Sequence, residues 1–362
     1  MAVNPYRGLP DRQFWSRAMS SPPPGHIDPM APTHAQIDPT ERIVTMGSCF
    51  AQHLARNLGS IGLNYYIAEP APTLMSEVEA VLYNYSVFSA RFGNIYTVRQ
   101  GLQLFERAFE FFRPEENVWT VEGGFVDPFR PSINPTPFAT PDAVIADQRN
   151  HLSCVRQMFE RTDWLIFTLG LTEGWRSIVD GAVFPLAPGV AGGSFRPDHH
   201  EFFNPSAAET SRDLNLLIDH VWTINPACRV ILTVSPVPLI ATYEPSHVWT
   251  ATTYSKAVLR VAAEEAARRY QHVFYFPSYE IITSPAAGGT YYADDLRQVT
   301  DLGVKHVMRC FKKNFVFDKN SGLNMSAPVV APSSRSTFPE VICDEELIEQ
   351  SIQLSGMGQE RG

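Results

Sequence analysis

The sequence predicts an α/β protein, a flavodoxin-like three-layer sandwich on a five-stranded parallel sheet, with an inserted α+β segment. Two observations carry this. Five short apolar runs, at Ile43–Met46, Leu63–Ala68, Trp164–Leu169, Val230–Val234 and His272–Phe276, are separated by segments whose apolar positions recur at helical spacing. Strands that alternate with helices form parallel sheets with right-handed crossovers. The first run also passes straight into a helix through Gly47-Ser48, and in open sheets of this kind ligands gather beyond the carboxyl ends of the strands.

In chain order, residues 1–40 are rich in proline and hold only a few anchors, Tyr6, Phe14 and Trp15, so this segment is expected to wrap the surface. After the first strand, Leu54, Ala55, Leu58 and Ile61 mark a helix, and Leu63–Ala68 reads as the second strand. An insertion from about 70 to 141 holds a helix over Gln100–Phe112 and two strands, Val118–Val121 and Phe125-Val126, joined by a Glu-Gly-Gly turn. It is a candidate wall or lid. A helix from Asp142 to Arg161 leads into Trp164–Leu169, and Asp180-Gly181 signals a hairpin between Ile178 and Val183-Phe184. Helices over Ala207–Thr223, Val248–Tyr270 and Lys305–Phe311 complete a domain spanning 1–318. Beyond it, 319–362 reads as a Ser/Pro-rich linker and a docking helix near Glu345–Leu354, with an oligomer contact as the alternative.

With 44% hydrophobic residues the chain can bury a large core, and its formal charge of −9 argues against nucleic acid, which is met by basic faces. No apolar run approaches the roughly 18–20 residues that span a bilayer. Met1 is followed by polar, proline-rich sequence, so a cytoplasmic protein with no membrane partner is expected. Five widely spaced cysteines without Cys-x-x-Cys favour reduced thiols. No His-x-x-x-His spacing occurs, His199-His200 falls in a polar loop, and Gly192-Gly193 follows no strand, so neither metal nor cofactor is expected.

Ser48 falls at a helix N-terminus, where backbone N–H groups and the helix dipole suit an anion or a developing oxyanion. The plainer alternative makes it an N-cap, with Gly47 easing the turn. The topology gathers Ser48, Thr172, Ser235 and Asp294-Asp295 on one rim.

Gly47-Ser48-Cys49-Phe50-Ala51 resembles the signature of the GSCFA domain family, whose first block matches the Gly-Asp-Ser block of SGNH (GDSL-type) esterases. Gly93–Thr97, Asp127–Pro131, Thr168–Glu173, Ser235–Leu239 and Tyr292–Arg297 are similar to later blocks of that family, so the resemblance runs from about residue 5 to about residue 312. It implies an SGNH-like O-acyl, in particular acetyl, esterase or acyltransferase acting on a carbohydrate, with Ser48 as nucleophile and a small-molecule or glycan partner. It places Thr172 where an oxyanion-binding Asn amide would stand. Gly93-Asn94 and the N–H of Ser48 are further candidate donors, and Glu173 binds a sugar hydroxyl, pairs with Arg176 or is a solvated carboxylate. The family's closing block is Asp-x-x-His, and here it reads Asp295-Leu296-Arg297-Gln298. A glutamine accepts no proton at neutral pH. The resemblance therefore leaves the base open among His306, His247 and a desolvated Asp294 or Asp295, and it leaves a second reading, a catalytically degenerate glycan- or partner-binding protein. Cys49, inside the first helical turn, is expected to pack against the sheet.

Overall fold

Each of the first, third and fourth apolar runs is apolar on both sides, the pattern of a strand covered on both faces. In the computed structural model, which describes residues 4–317 and 344–359, they become the interior of a five-stranded sheet. The elements in order are β1 (Arg42–Gly47), α1 (Cys49–Ser60), β2 (Asn64–Tyr65), α2 (Glu77–Leu82), α3 (Val98–Ala108), β3 (Trp119–Val121), β4 (Gly124–Val126), α4 (Pro141–Arg161), β5 (Trp164–Leu169) and β6 (Gly174–Ser177). There follow β7 (Val183–Phe184), β8 (His200–Phe203), α5 (Ala207–Ile224), β9 (Arg229–Val234), α6 (Val248–Arg269), β10 (Val273–Tyr275), α7 (Ser278–Ile282), α8 (Asp301–Phe315) and α9 (Glu346–Gln359).

The central sheet has the order β10-β9-β5-β1-β2, all parallel, as the flavodoxin-like arrangement requires. Alternate residues feed opposite layers. Val44, Met46, Leu165, Phe167, Val230 and Leu232 pack with α3, α4, α5 and α6, whereas Ile43, Trp164, Ile166 and Ile231 pack with α1 and α8. The strand order reverses between β1 and β5, the position at which open sheets of this kind gather ligands at the carboxyl ends of the strands.

Within the segment expected to form a wall, α3 belongs to the sandwich itself: a Cβ at Gly101 would lie 2.9 Å from Phe167 and 3.0 Å from Met46. It starts earlier than its apolar spacing suggests because Thr97 and Gln100 form a reciprocal capping box. The pair β3–β4 is antiparallel as expected. The strand β8, in contrast, falls where a polar loop was expected. His200 opens it, buried, with Nε2 2.8 Å from Glu116, and Phe202 and Phe203 pair it with β6. The N-terminal segment lies along α8, with Ile37 donating to the Phe315 carbonyl and Asp28 accepting from Lys313 and Asn314. The Ser/Pro-rich stretch 326–336 lies outside the described residues.

The Asp127-Pro-Phe-Arg-Pro block has a structural role. Arg130 binds Asp127 (2.8 Å), Asp147 (2.6 Å) and the Arg91 carbonyl, while Glu69 accepts from the Arg91 N–H and sits 2.7 Å from His151 Nδ1. Burial by itself pushes the Glu69 carboxyl up, but His151, with Arg130 behind it, overrides this and holds it down at about 2.

Candidate functional site

The passage from β1 to α1 requires glycine at position 47. Gly47 has φ +137°, and a Cβ there would stand 2.2 Å from the Thr168 carbonyl oxygen of β5. Ser48 follows in extended backbone at the N-cap of α1 and is 4% exposed. Its side chain caps nothing, and its Oγ has no hydrogen-bond partner among the described residues. A buried hydroxyl left without a partner costs on the order of 1–3 kcal/mol. The fold thus uses the N-cap position without using the hydroxyl, which counts against the plain N-cap reading. The Ser48 N–H, one of the expected oxyanion donors, is instead committed to the Thr168 carbonyl at 3.3 Å.

Three loops are laced together around Ser48. Ile95 donates to the Gly47 carbonyl (2.8 Å), and Gly170 and Leu171 donate to the Tyr96 carbonyl (3.2 and 3.0 Å). Gly170 is the close neighbour of the serine: a Cβ added to it would lie 2.9 Å from Ser48 Cβ. Asn94 is buried at this junction; its Oδ1 accepts from Gln52 of α1 (3.0 Å), and its Nδ2 donates to Asp344 of the C-terminal segment (2.7 Å).

Thr172 is also buried, but its hydroxyl donates to Asn204 Oδ1 (2.6 Å) and its N–H to Ser255 Oγ (2.9 Å), so the candidate oxyanion donor is engaged elsewhere. Glu173 does not pair with Arg176, which binds Glu201. It accepts instead from the Thr242 hydroxyl (2.7 Å) and the Tyr243 N–H (3.1 Å), and burial raises its carboxyl above the usual range. Ser235 is buried at the carboxyl end of β9, its N–H on the Leu169 carbonyl.

The closing block turns a different side chain inward. Asp295 and Gln298 are exposed, and Asp295 Oδ1 accepts the N–H groups of Arg297 and Gln298 in a local turn, with Leu296 at φ +54°. Arg297 points into the site, donating to the Pro238 carbonyl (3.2 Å) and to Glu345 (2.6 Å). The candidate bases are engaged elsewhere. His306 Nδ1 meets the Tyr291 hydroxyl and Nε2 the Ile27 carbonyl, both at 2.7 Å, while His247 Nδ1 caps α6 by accepting from the Trp249 N–H.

Lys256, on α6, was not singled out by its sequence context. It is 2% exposed, and its Nζ donates to the Gly170 carbonyl at 2.5 Å. Burial lowers its ammonium pKa to about 8, although Glu345 and Cys49 act in the opposite sense. Among the described residues no cluster of three or more His, Cys, Asp or Glu side chains could hold a metal, and no helix is long and apolar enough to cross a membrane.

The GSCFA family model matches residues 42–311, about three quarters of the chain. The chain belongs to the GSCFA family. Ser48, Asn94, Thr172, Lys256, Asp295 and Gln298 lie within the GSCFA match, whereas Asp344 and Glu345, which contact its site, lie beyond it. Among solved structures, one described as that of a "putative platelet activating factor from Streptococcus pneumonia" is similar at 13% identity and a TM-score of 0.27, covering 50% of this chain and 73% of its own. A search of curated proteins found no match.

Proposed function

We propose that this GSCFA protein is an O-acyl esterase or acyltransferase with Ser48 as nucleophile, its natural substrate an acetylated or acetyl-accepting carbohydrate. One observation carries the reading: a buried serine hydroxyl that makes no hydrogen bond among the described residues, held at a helix N-terminus where the strand order reverses. In the reaction Ser48 Oγ attacks the acyl carbon, the carbonyl electron pair moves onto oxygen, and the intermediate expels the alcohol to leave an acyl-serine. Water or a second hydroxyl then takes the acyl group. On this reading first-turn amides of α1 meet the developing oxyanion, joined by the Asn94 side-chain amide when it is released from Asp344. The carbohydrate and the preference for acetyl rest on the family resemblance, and the widely spaced cysteines fit a cytoplasmic setting.

The second reading, a non-catalytic glycan- or partner-binding protein, draws on the exposure of Gln298 and on the tail carboxylates beside Asn94 and Arg297. Hydrolysis of p-nitrophenyl acetate separates the two. Turnover that falls about 10²-fold or more in Ser48→Ala supports the enzyme. Turnover equal in both proteins, together with retained glycan binding, supports the binding protein.

A further inference from the structure

We propose that Lys256 accepts the Ser48 proton, in place of the imidazole that the closing block lacks. The inference rests on Ser48 being the nucleophile.

Lysine is almost never fully buried without a paired charge or a task. Lys256 lies at 2% exposure on a helix whose buried Leu259, Ala262, Ala263 and Ala266 serve the core. Its Nζ and the Ser48 side chain meet the same residue. Nζ lies 2.5 Å from the Gly170 carbonyl oxygen, and a Cβ added to Gly170 would stand 2.9 Å from Ser48 Cβ. An ammonium carries three hydrogens. Gly170 takes one, and no other acceptor engages Nζ among the described residues.

The charged and titratable groups that face Nζ are Glu345 from the tail, Cys49 from α1 and Arg297 from the closing block. Glu345 and Cys49 favour the ammonium, Arg297 opposes it, and burial outweighs them all, leaving an amine that is part neutral at physiological pH. That suits a general base, whose ideal pKa lies near the working pH. The other candidates are less suited: His306 and His247 are engaged elsewhere, and the Asp295 carboxylate is exposed and closes its own turn.

The step balances without a co-reactant. Nζ lies outside hydrogen-bond reach of Oγ, so the transfer runs through one water admitted with the substrate: the Ser48 O–H bond breaks, its proton passes to that water as the water gives one of its own to the lone pair of neutral Nζ, and the Oγ–acyl bond forms as the carbonyl pair moves onto oxygen. On collapse the departing alkoxide takes a proton back from the ammonium, and deacylation by water or an acceptor hydroxyl repeats the cycle.

The test is the rate at which a fluorophosphonate probe labels Ser48 in the full chain, measured from pH 6 to 10 in the wild type, Lys256→Arg, Lys256→Met and Ser48→Ala. The expected wild-type profile rises to a plateau with its midpoint near 8. Lys256→Arg keeps the charge and a donor for Gly170 but cannot give up a proton, so labelling should fall about 10²-fold or more and lose the inflection. Lys256→Met, apolar and of similar length, tests the same loss if arginine does not fit, and added methylamine should restore part of its rate. A folded variant that labels at the wild-type rate with an unchanged midpoint would overturn the proposal and leave Lys256 as a brace for the Gly170 loop. Equal labelling of Ser48→Ala would instead overturn the nucleophile, and the role of Lys256 with it.

Discussion

The Asp344 carboxylate lies 2.7 Å from the side-chain amide nitrogen of Asn94, 250 positions earlier in the chain. With Glu345 on Arg297, it presses the start of the C-terminal helix against the loops that surround Ser48. Burial holds both carboxyls above the usual range. The docked tail therefore binds protons more readily than a released one, so docking is strongest at low pH and weakens as pH rises through the carboxylate range and above it.

A chain ending at residue 343 should label at Ser48 faster than the full chain, by about threefold or more, because the Asn94 amide then no longer donates to Asp344 and the site is competent for a larger fraction of the time. Probe kinetics on the two proteins measure this. An equal or slower rate in the shortened chain would show that the tail completes the site.

Gln298→His should not restore the Asp-x-x-His pattern in function. Position 298 is exposed, Asp295 is committed to the turn, and Arg297 is the side chain that points inward. Esterase turnover is expected within about twofold of the wild type. A rise of about tenfold, roughly 1.4 kcal/mol in barrier, would mean that the loop turns over when substrate binds.

Thr172→Val removes a buried hydroxyl bonded to Asn204 at 2.6 Å. Chemical denaturation should show a loss of about 1–3 kcal/mol, with labelling at Ser48 retained. The opposite pattern, unchanged stability and a rate lower by about 10²–10³-fold, would identify Thr172 as an oxyanion donor.

Arg130→Met leaves Asp127 charged and buried without its main partner, so a loss of about 3–5 kcal/mol is expected. The same cluster predicts acid sensitivity. Glu69 is held well below its ordinary value, so its contribution is complete above about pH 4.5 and drains away as pH falls toward 2. Unfolding midpoints measured from pH 6 downward test this, and Glu69→Gln should flatten the profile.

Much of the fold was legible because strands buried on both faces write themselves as unbroken apolar runs; Trp164–Leu169 became β5 residue for residue. Less legible was β8, where His200 and Glu201 interrupt the pattern and burial comes from Glu116, far away in sequence. Ser48 could be found from its strand-Gly-Ser-helix setting. Lys256 could not, since a lysine on a helix reads as a solvated side chain and only the three-dimensional contact with Gly170 marks this one. The Thr97-x-x-Gln100 capping box was a local signal for the start of α3 that apolar spacing alone misses. Nothing local in Asp344-Glu345 points to Asn94 and Arg297, because that pairing belongs to tertiary structure alone.

The most direct measurement is mass-spectrometric mapping of the fluorophosphonate adduct on the intact protein. One adduct per chain is expected, on Ser48, absent from Ser48→Ala and from heat-unfolded protein. An adduct on Cys49 or on another serine, or no adduct at any pH between 6 and 10, would contradict it.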